Sequence, residues 1–232
     1  MGQVIGVEAL VRWQHPERGL IPPVEFLGVI ESAGLMGALT RRVFLAAVAD
    51  QQVWHRDGLD LMMAVNFSPE LFTDLDLPDI MSRHVAEANG DIAKVKIEIT
   101  ETGTMRDVAR SMEILTRLRL KGFALSMDDF GTGSSSLVQL YRLPFNELKI
   151  DRSFVSDFEQ NPEAETIVSI TIDLARNLGL RVCAEGVETE SAYRRLCDLG
   201  CHLAQGYFIS KPMPAAAVPD WVRKWQPPLL AG

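Results

Sequence analysis

Residues able to hold a cation recur at regular places along this chain. Glu8 follows Val4-Ile5-Gly6-Val7, and Asn66 ends Leu61-Met62-Met63-Ala64-Val65. Glu98 and Glu101 close the run that starts Val95-Lys96-Ile97, and Asp128-Asp129 close Ala124-Leu125-Ser126-Met127. Lys149 and Asp151 end the next run. Glu185 and Glu188 follow Val182-Cys183-Ala184, and Gln205 precedes Gly206-Tyr207. A single such residue reads as a solvated strand end or a helix cap, but the whole series does not. Alternation places Glu98 and Thr100 on one face of their run. Carboxylates gathered on one face repel and desolvate at a cost of several kcal/mol unless cations accompany them. Oxygen donors without imidazole or thiolate select hard cations, Mg²⁺ or Mn²⁺. Adjacent Asp128-Asp129 can serve two ions, one carboxylate bridging. Two such ions roughly 4 Å apart are the usual apparatus for phosphodiester hydrolysis.

The positioning elements alternate. Apolar, β-branched runs at 4–13, 61–67, 95–100, 123–129, 147–151, 180–187 and 202–207 read as seven strands, with amphipathic helical stretches between most of them. Ser68-Pro69 and Asn161-Pro162 read as N-cap and first helical residue. Thr189 opens another helix that Gly200 closes, and Gly122 and Gly179 lie just past two helix ends. This regularity predicts an α/β fold with a parallel sheet covered by helices, and no composition break divides the 232 residues. The acids then lie where α/β barrels carry their active sites, at the C-terminal strand ends. A closed barrel has eight strands, so either the missing one lies upstream or the sheet is open.

Composition excludes several classes. The chain is 47% hydrophobic and 23% charged, ordinary for a globular domain. Its net charge of −8 argues against nucleic acid and anionic membranes, though not against a small anion held through metal ions. No apolar run reaches the ~18 residues of a membrane span, and no signal peptide is visible. The three cysteines, Cys183, Cys197 and Cys201, are sparse and odd in number, which suggests a reducing compartment. Cys197 and Cys201 read as small core residues and Trp13 as core packing. His15-Pro16 reads as a turn. Arg117, Arg119 and Lys121 read as a solvated helix face.

Glu8-Ala9-Leu10-Val11-Arg12-Trp13 resembles the signature of the EAL family of cyclic di-GMP phosphodiesterases. The resemblance continues through Val65-Asn66-Phe67-Ser68, Glu98-Ile99-Thr100-Glu101, Asp128-Asp129-Phe130-Gly131-Thr132-Gly133, Lys149-Ile150-Asp151-Arg152, Glu185-Gly186-Val187-Glu188 and Gln205-Gly206-Tyr207. It implies a single TIM-like barrel domain over 1–232, lacking the family's first strand. It implies Glu8, Asn66, Glu98 and Asp128 as ligands of one metal. Asp128 would bridge to a second, held also by Asp129 and by Glu185 directly or through water. Lys149 would orient the attacking water. Arg12 would contact a phosphate, with Leu10, Glu188 and Gln205 also assigned to the substrate. Glu101 would hold the loop 130–136. The implied reaction opens cyclic di-GMP to linear 5′-pGpG with Mg²⁺ or Mn²⁺. A homodimer, an upstream sensor or diguanylate-cyclase module and a cytoplasmic location are the expected context, without nucleic acid or membrane contact.

The chain departs from the family in lacking the upstream strand that carries Tyr-Gln-Pro, and in having Ser134 where the family usually has Tyr. Glu101 stands three residues beyond Glu98, on the opposite phase if the strand continues, which favours loop anchoring over a shared metal. A non-catalytic cyclic di-GMP receptor is the main alternative. Receptors typically lack some of the carboxylates, whereas here the whole set is present. A barrel enzyme acting on another phosphodiester is the third reading.

Overall fold

The computed structural model describes residues 2–100, 108–131 and 137–228. In chain order the elements are β1 (Gly6–Ala9), β2 (Trp13–His15), β3 (Gly19–Ile21), α1 (Pro23–Ser32), α2 (Met36–Arg56), β4 (Met62–Asn66), α3 (Leu77–Glu87), β5 (Val95–Thr100) and α4 (Val108–Lys121). They continue with β6 (Ala124–Phe130), α5 (Leu137–Arg142), β7 (Glu147–Ile150), α6 (Arg152–Val155), α7 (Pro162–Asn177), β8 (Arg181–Ala184), α8 (Glu190–Asp198), β9 (Leu203–Ala204) and α9 (Val218–Lys224). Two compact units account for them. One is Ile5–Glu98 with Asp107–Phe123; the other is Ala124–Gly232 with Met1–Val4 and Ile99–Arg106.

In the first unit β1, β4 and β5 run parallel, with Glu8 opposite Ala64 and Asn66 opposite Glu98. The long helix α2 covers them because its buried positions, Thr40, Phe44, Ala47, Val48, Gln51 and Trp54, recur at helical spacing on one stripe. Phe44 is fully buried, its ring 5.7 Å from that of Phe67 and 6.5 Å from that of Phe123. Gln51 Nε2 donates to the carbonyls of Leu61 and Lys94, both at 2.9 Å, and so ties the residues that lead into β4 and β5.

In the second unit β6, β7, β8 and β9 form a parallel ladder. Its helices begin where the sequence places them. Asn161 Oδ1 accepts from the amides of Glu163 and Ala164 at the start of α7, and Thr189 Oγ1 accepts from Ala192 at the start of α8. Gly179 and Gly200, just past those helices, have φ of +71° and +76°. The seven strands of the two ladders match the sequence reading in number.

Local readings needed correction. The run 4–13 is not one strand. β1 ends at Ala9, and Trp13–His15 pairs antiparallel with Gly19–Ile21 in a separate hairpin. The hairpin turns where His15 Nδ1 accepts from the amides of Glu17 and Arg18, which bears out the turn at Pro16. Trp13 is 46% exposed rather than core. Ser68 caps a 3₁₀ turn, Pro69–Thr73, and not the α-helix, which starts at Leu77. Arg117 and Lys121 are not simply solvated: each nitrogen lies 2.6 Å from a carboxylate oxygen of Asp79 on α3. The Lys121 hydrogen bond, with the charges of Lys121 and Arg117, holds Asp79 below the ordinary carboxylate range. Cys201 is buried beyond the end of α8, where burial pushes its thiol up to about 11. Cys197 is only half-buried.

Truncating the ring at the centre of the first unit tests this packing. Phe44→Ala is expected to lower the unfolding free energy by about 3–5 kcal/mol. Val29→Ala, on an exposed face of α1, is expected to change it by less than about 0.5 kcal/mol in the same urea titration. Equal losses would show that α2 does not anchor this core.

Candidate metal centre

Strand alternation sets which side chains meet. In the first unit Glu8, Ala64, Asn66, Lys96 and Glu98 share a face of the β1–β4–β5 ladder, because parallel register aligns partners laterally. Asn66 Nδ2 donates to Glu8 Oε1 at 2.6 Å. Glu98 is 2% exposed on the neighbouring strand, its main-chain carbonyl accepting from Phe67 at 2.8 Å. The structure thus brings Glu8 and Asn66 into contact and puts Glu98 in register beside Asn66. Arg12 donates from Nη1 to the Val11 carbonyl at 2.8 Å, and Leu10 is exposed beside it.

In the second unit Ser126 and Asp128 of β6 and Glu147 and Lys149 of β7 lie on one face, with Cys183 and Glu185 from β8 and the residue following it. Lys149 is 1% exposed, and its Nζ lies 2.6 Å from Glu185 Oε1 and 3.2 Å from Asp128 Oδ1. A buried ammonium requires such counter-charges. The Asp128 contact lacks hydrogen-bond alignment, so Asp128 Oδ1 is a buried oxygen without a hydrogen bond.

Asp129 should face away from Asp128 in a regular strand. It does not, because the β6–β7 register slips between Met127 and Phe130 and Asp129 takes a left-handed φ of +56°. A bulge of this kind re-aims a side chain. Carboxylate oxygens of Asp128, Asp129 and Glu185 consequently lie within 4.8 Å of one another, a group fit to hold a metal ion. Desolvation, then the charges of Asp128 and Asp151, pushes Asp129 up to about 6. Three carboxylates around one ammonium, one of them with a buried oxygen lacking a hydrogen bond, match a hard divalent cation.

Asp151 is a residue the sequence noted but gave no role. Burial opposes its ionisation, yet hydrogen bonds from the Ser153 hydroxyl and amide, the Arg152 amide and Asp129 keep its carboxyl below the ordinary value. Its place two residues after Lys149, on the same phase, was the available signal. Glu188 is exposed, and Gln205 exchanges main-chain hydrogen bonds with Ala184 and Val187. Glu101 and residues 132–136 of the loop assigned to it lie outside the described residues. No helix among the described residues is long and apolar enough to cross a membrane.

The chain is similar to known proteins over most of its length. The family model for the EAL domain matches residues 1–212. The bifunctional diguanylate cyclase/cyclic di-GMP phosphodiesterase MucR of Pseudomonas aeruginosa is 41% identical over 92% of this chain. The cyclic di-GMP phosphodiesterase RocR of the same organism is 38% identical, also over 92%. The chain spans only 31% of MucR and 54% of RocR. A solved structure of the PaMucR phosphodiesterase in complex with c-di-GMP superposes with a TM-score of 0.88 at 40% identity, covering 92% of this chain and 87% of that one. The likeness identifies the fold class as the α/β, TIM-like barrel type.

The raised Asp129 predicts a pH signature in the metal-free protein. Its folded value of about 6 exceeds the ordinary 3.8, so its contribution to stability is present below about pH 4 and is lost as pH rises through about 6. Asp129→Asn is therefore expected to raise the melting temperature in EDTA above about pH 7, with the gain fading towards pH 4. A gain that does not change with pH would assign the titration to another group.

Proposed function

This chain belongs to the EAL domain family, and from that membership we propose that it is a metal-dependent phosphodiesterase opening cyclic di-GMP to linear 5′-pGpG. The observation that carries the reading is the Asp128–Asp129–Glu185 trio around the buried Lys149. The chain also keeps the other residues the family motif calls for: Glu8, Asn66 and Glu98 share a face of the first unit's ladder. A receptor that had lost turnover would be free to lose these costly acids, so we prefer the enzyme to the non-catalytic binding module.

We assign metal binding to Glu8, Asn66 and Glu98 and to Asp128, Asp129 and Glu185, with Mg²⁺ or Mn²⁺, two ions in all, as the cofactor. Such ions would lower the pKa of the attacking water and offset the charge of the phosphodiester. The protein's own part is positional. Asn66 fixes the Glu8 carboxylate through the 2.6 Å hydrogen bond. The bulge at Asp129 turns a second carboxylate toward Asp128 and Glu185. Lys149 holds Asp128 and Glu185 together and supplies an ammonium that can donate to the water and steady it for in-line attack. Arg12, Leu10, Glu188 and Gln205 are assigned to the nucleotide and Glu101 to loop anchoring. A second copy of the chain, an upstream sensor or cyclase module and a cytoplasmic setting complete the proposal, with residues 1–232 acting as one domain.

Chromatographic separation of cyclic di-GMP from pGpG in timed Mn²⁺ reactions tests the reading. Asp128→Asn is expected to reduce turnover at least about a hundredfold, because a metal-ligating charge is lost. Lys149→Met is expected to lower kcat more than it raises KM, since a group that orients the attacking water acts mainly in the transition state. Near-normal turnover in Asp128→Asn would sink the metal mechanism. Tight binding of cyclic di-GMP by the unmutated chain without any cleavage would favour the receptor.

A further inference from the structure

The short helix α6 meets the acidic trio at Asp129 and meets the residue that follows Glu185. Its N-cap, Asp151, is hydrogen-bonded to Asp129. Its first residue, Arg152, packs against Gly186, the residue after Glu185. A Cβ at Gly186 would lie 2.5 Å from Arg152 Cβ and 3.2 Å from Arg152 Cα. The chain on either side of Gly186 is pinned. The Glu185 amide donates to the Ile150 carbonyl at 3.1 Å, and the Val187 amide donates to Gln205 at 3.0 Å. Phe208 donates to the Val187 carbonyl at 3.0 Å. Behind Val187 sits Gly206, where a Cβ would fall 2.2 Å from that same carbonyl oxygen. A methyl group at 186 therefore cannot be absorbed by the 187–208 side. It must push the Glu185 peptide away from α6, or push α6 and Asp151 away from Asp129.

We infer that Gly186 is a positioning residue for the Glu185 carboxylate: its missing side chain lets the peptide seat against Arg152, so that Glu185 meets Asp128 and Asp129. The inference rests on reading that trio as a divalent-cation site. Gly186 also has a φ of +71°, which strains any L side chain. Gly179 supplies the control: its φ is likewise +71°, but a Cβ there would meet nothing within 4 Å. Gly179→Ala thus carries the backbone strain without the collision.

Mn²⁺ titration of the full chain by calorimetry separates the two effects. Gly186→Ala is expected to weaken Mn²⁺ binding at least about tenfold, the usual cost of disturbing a residue that orients a metal ligand. Gly179→Ala is expected to stay within about twofold of the unmutated chain. Adding Arg152→Gly to Gly186→Ala removes the opposing Cβ and is expected to restore most of the affinity. Adding Arg152→Ala keeps that Cβ and is expected to restore none. If Gly186→Ala does not fold, the same contrast is read as recovery of the folded state by Arg152→Gly and not by Arg152→Ala. Affinity in Gly186→Ala equal to that of the unmutated chain, or equal behaviour of the two double variants, overturns the inference. Absence of Mn²⁺ binding by the unmutated chain overturns the cation site itself, and is told apart because that measurement involves no substitution.

Discussion

The ammonium of Lys149 is the group around which the second unit's site is built. At 1% exposure it is stripped of water, and a buried charge is tolerated only with partners close by. Asp128 and Glu185 supply them from the strands on either side. The requirement reaches back into the sheet. Leu148 pairs with both Met127 and Val182, and Lys149 pairs with Cys183. A slip of one residue in either ladder would turn a carboxylate to the opposite face and leave the ammonium uncompensated. Electrostatics and register therefore specify each other.

The ion pairs leave an excess of negative charge. Asp129 joins Asp128 and Glu185, so one ammonium serves three carboxylates. The left-handed backbone of Asp129 and its raised proton affinity both act against the metal-free fold, and strain at a residue of this kind is characteristic of functional sites. A divalent cation would offset both the repulsion and the missing hydrogen bond of Asp128 Oδ1. Stability and the proposed activity would thereby be opposed at these positions, and a variant that removes an acid is expected to trade one for the other.

Much of this was legible because both periodicities are strong. The apolar runs put Asn66 and Lys149 near the ends of strands that the structure keeps, alternation gave Glu98 its face on β5, and the caps Asn161 and Thr189 marked helix starts that the structure keeps. The misses depend on pairings and backbone irregularities that no single run of residues displays. Asp79, far from α4 in the chain, turns Arg117 and Lys121 from solvated side chains into ion-pair partners. Trp13 belongs to a hairpin whose second strand, Gly19–Ile21, draws it out of the first run. The bulge at Asp129 is a departure from period two, which alternation in the sequence does not reveal. Asp151 escaped assignment because its contact with Asp129 is made across the turn into α6.

The two ends of the second unit's ladder treat similar side chains in opposite ways. At the N-terminal end the charges are matched one to one, although Glu147 Oε2, like Asp128 Oδ1, is a buried oxygen without a hydrogen bond. Asn146 Oδ1 accepts from the Leu125 amide, and its main-chain carbonyl accepts from Arg181. Buried Glu147 accepts from Ser126 Oγ and is ion-paired with Arg181. One carboxylate there has a guanidinium close by and a hydroxyl donor, which leaves no net charge for an ion to neutralise. At the C-terminal end Lys149 lies on the same face as Glu147, two residues along the same strand, but faces two carboxylates with a third beside them. The sheet is thus closed electrostatically at one end and left open at the other. That asymmetry, more than the presence of acids as such, distinguishes the C-terminal end, where three carboxylates that could hold a metal ion gather around Lys149.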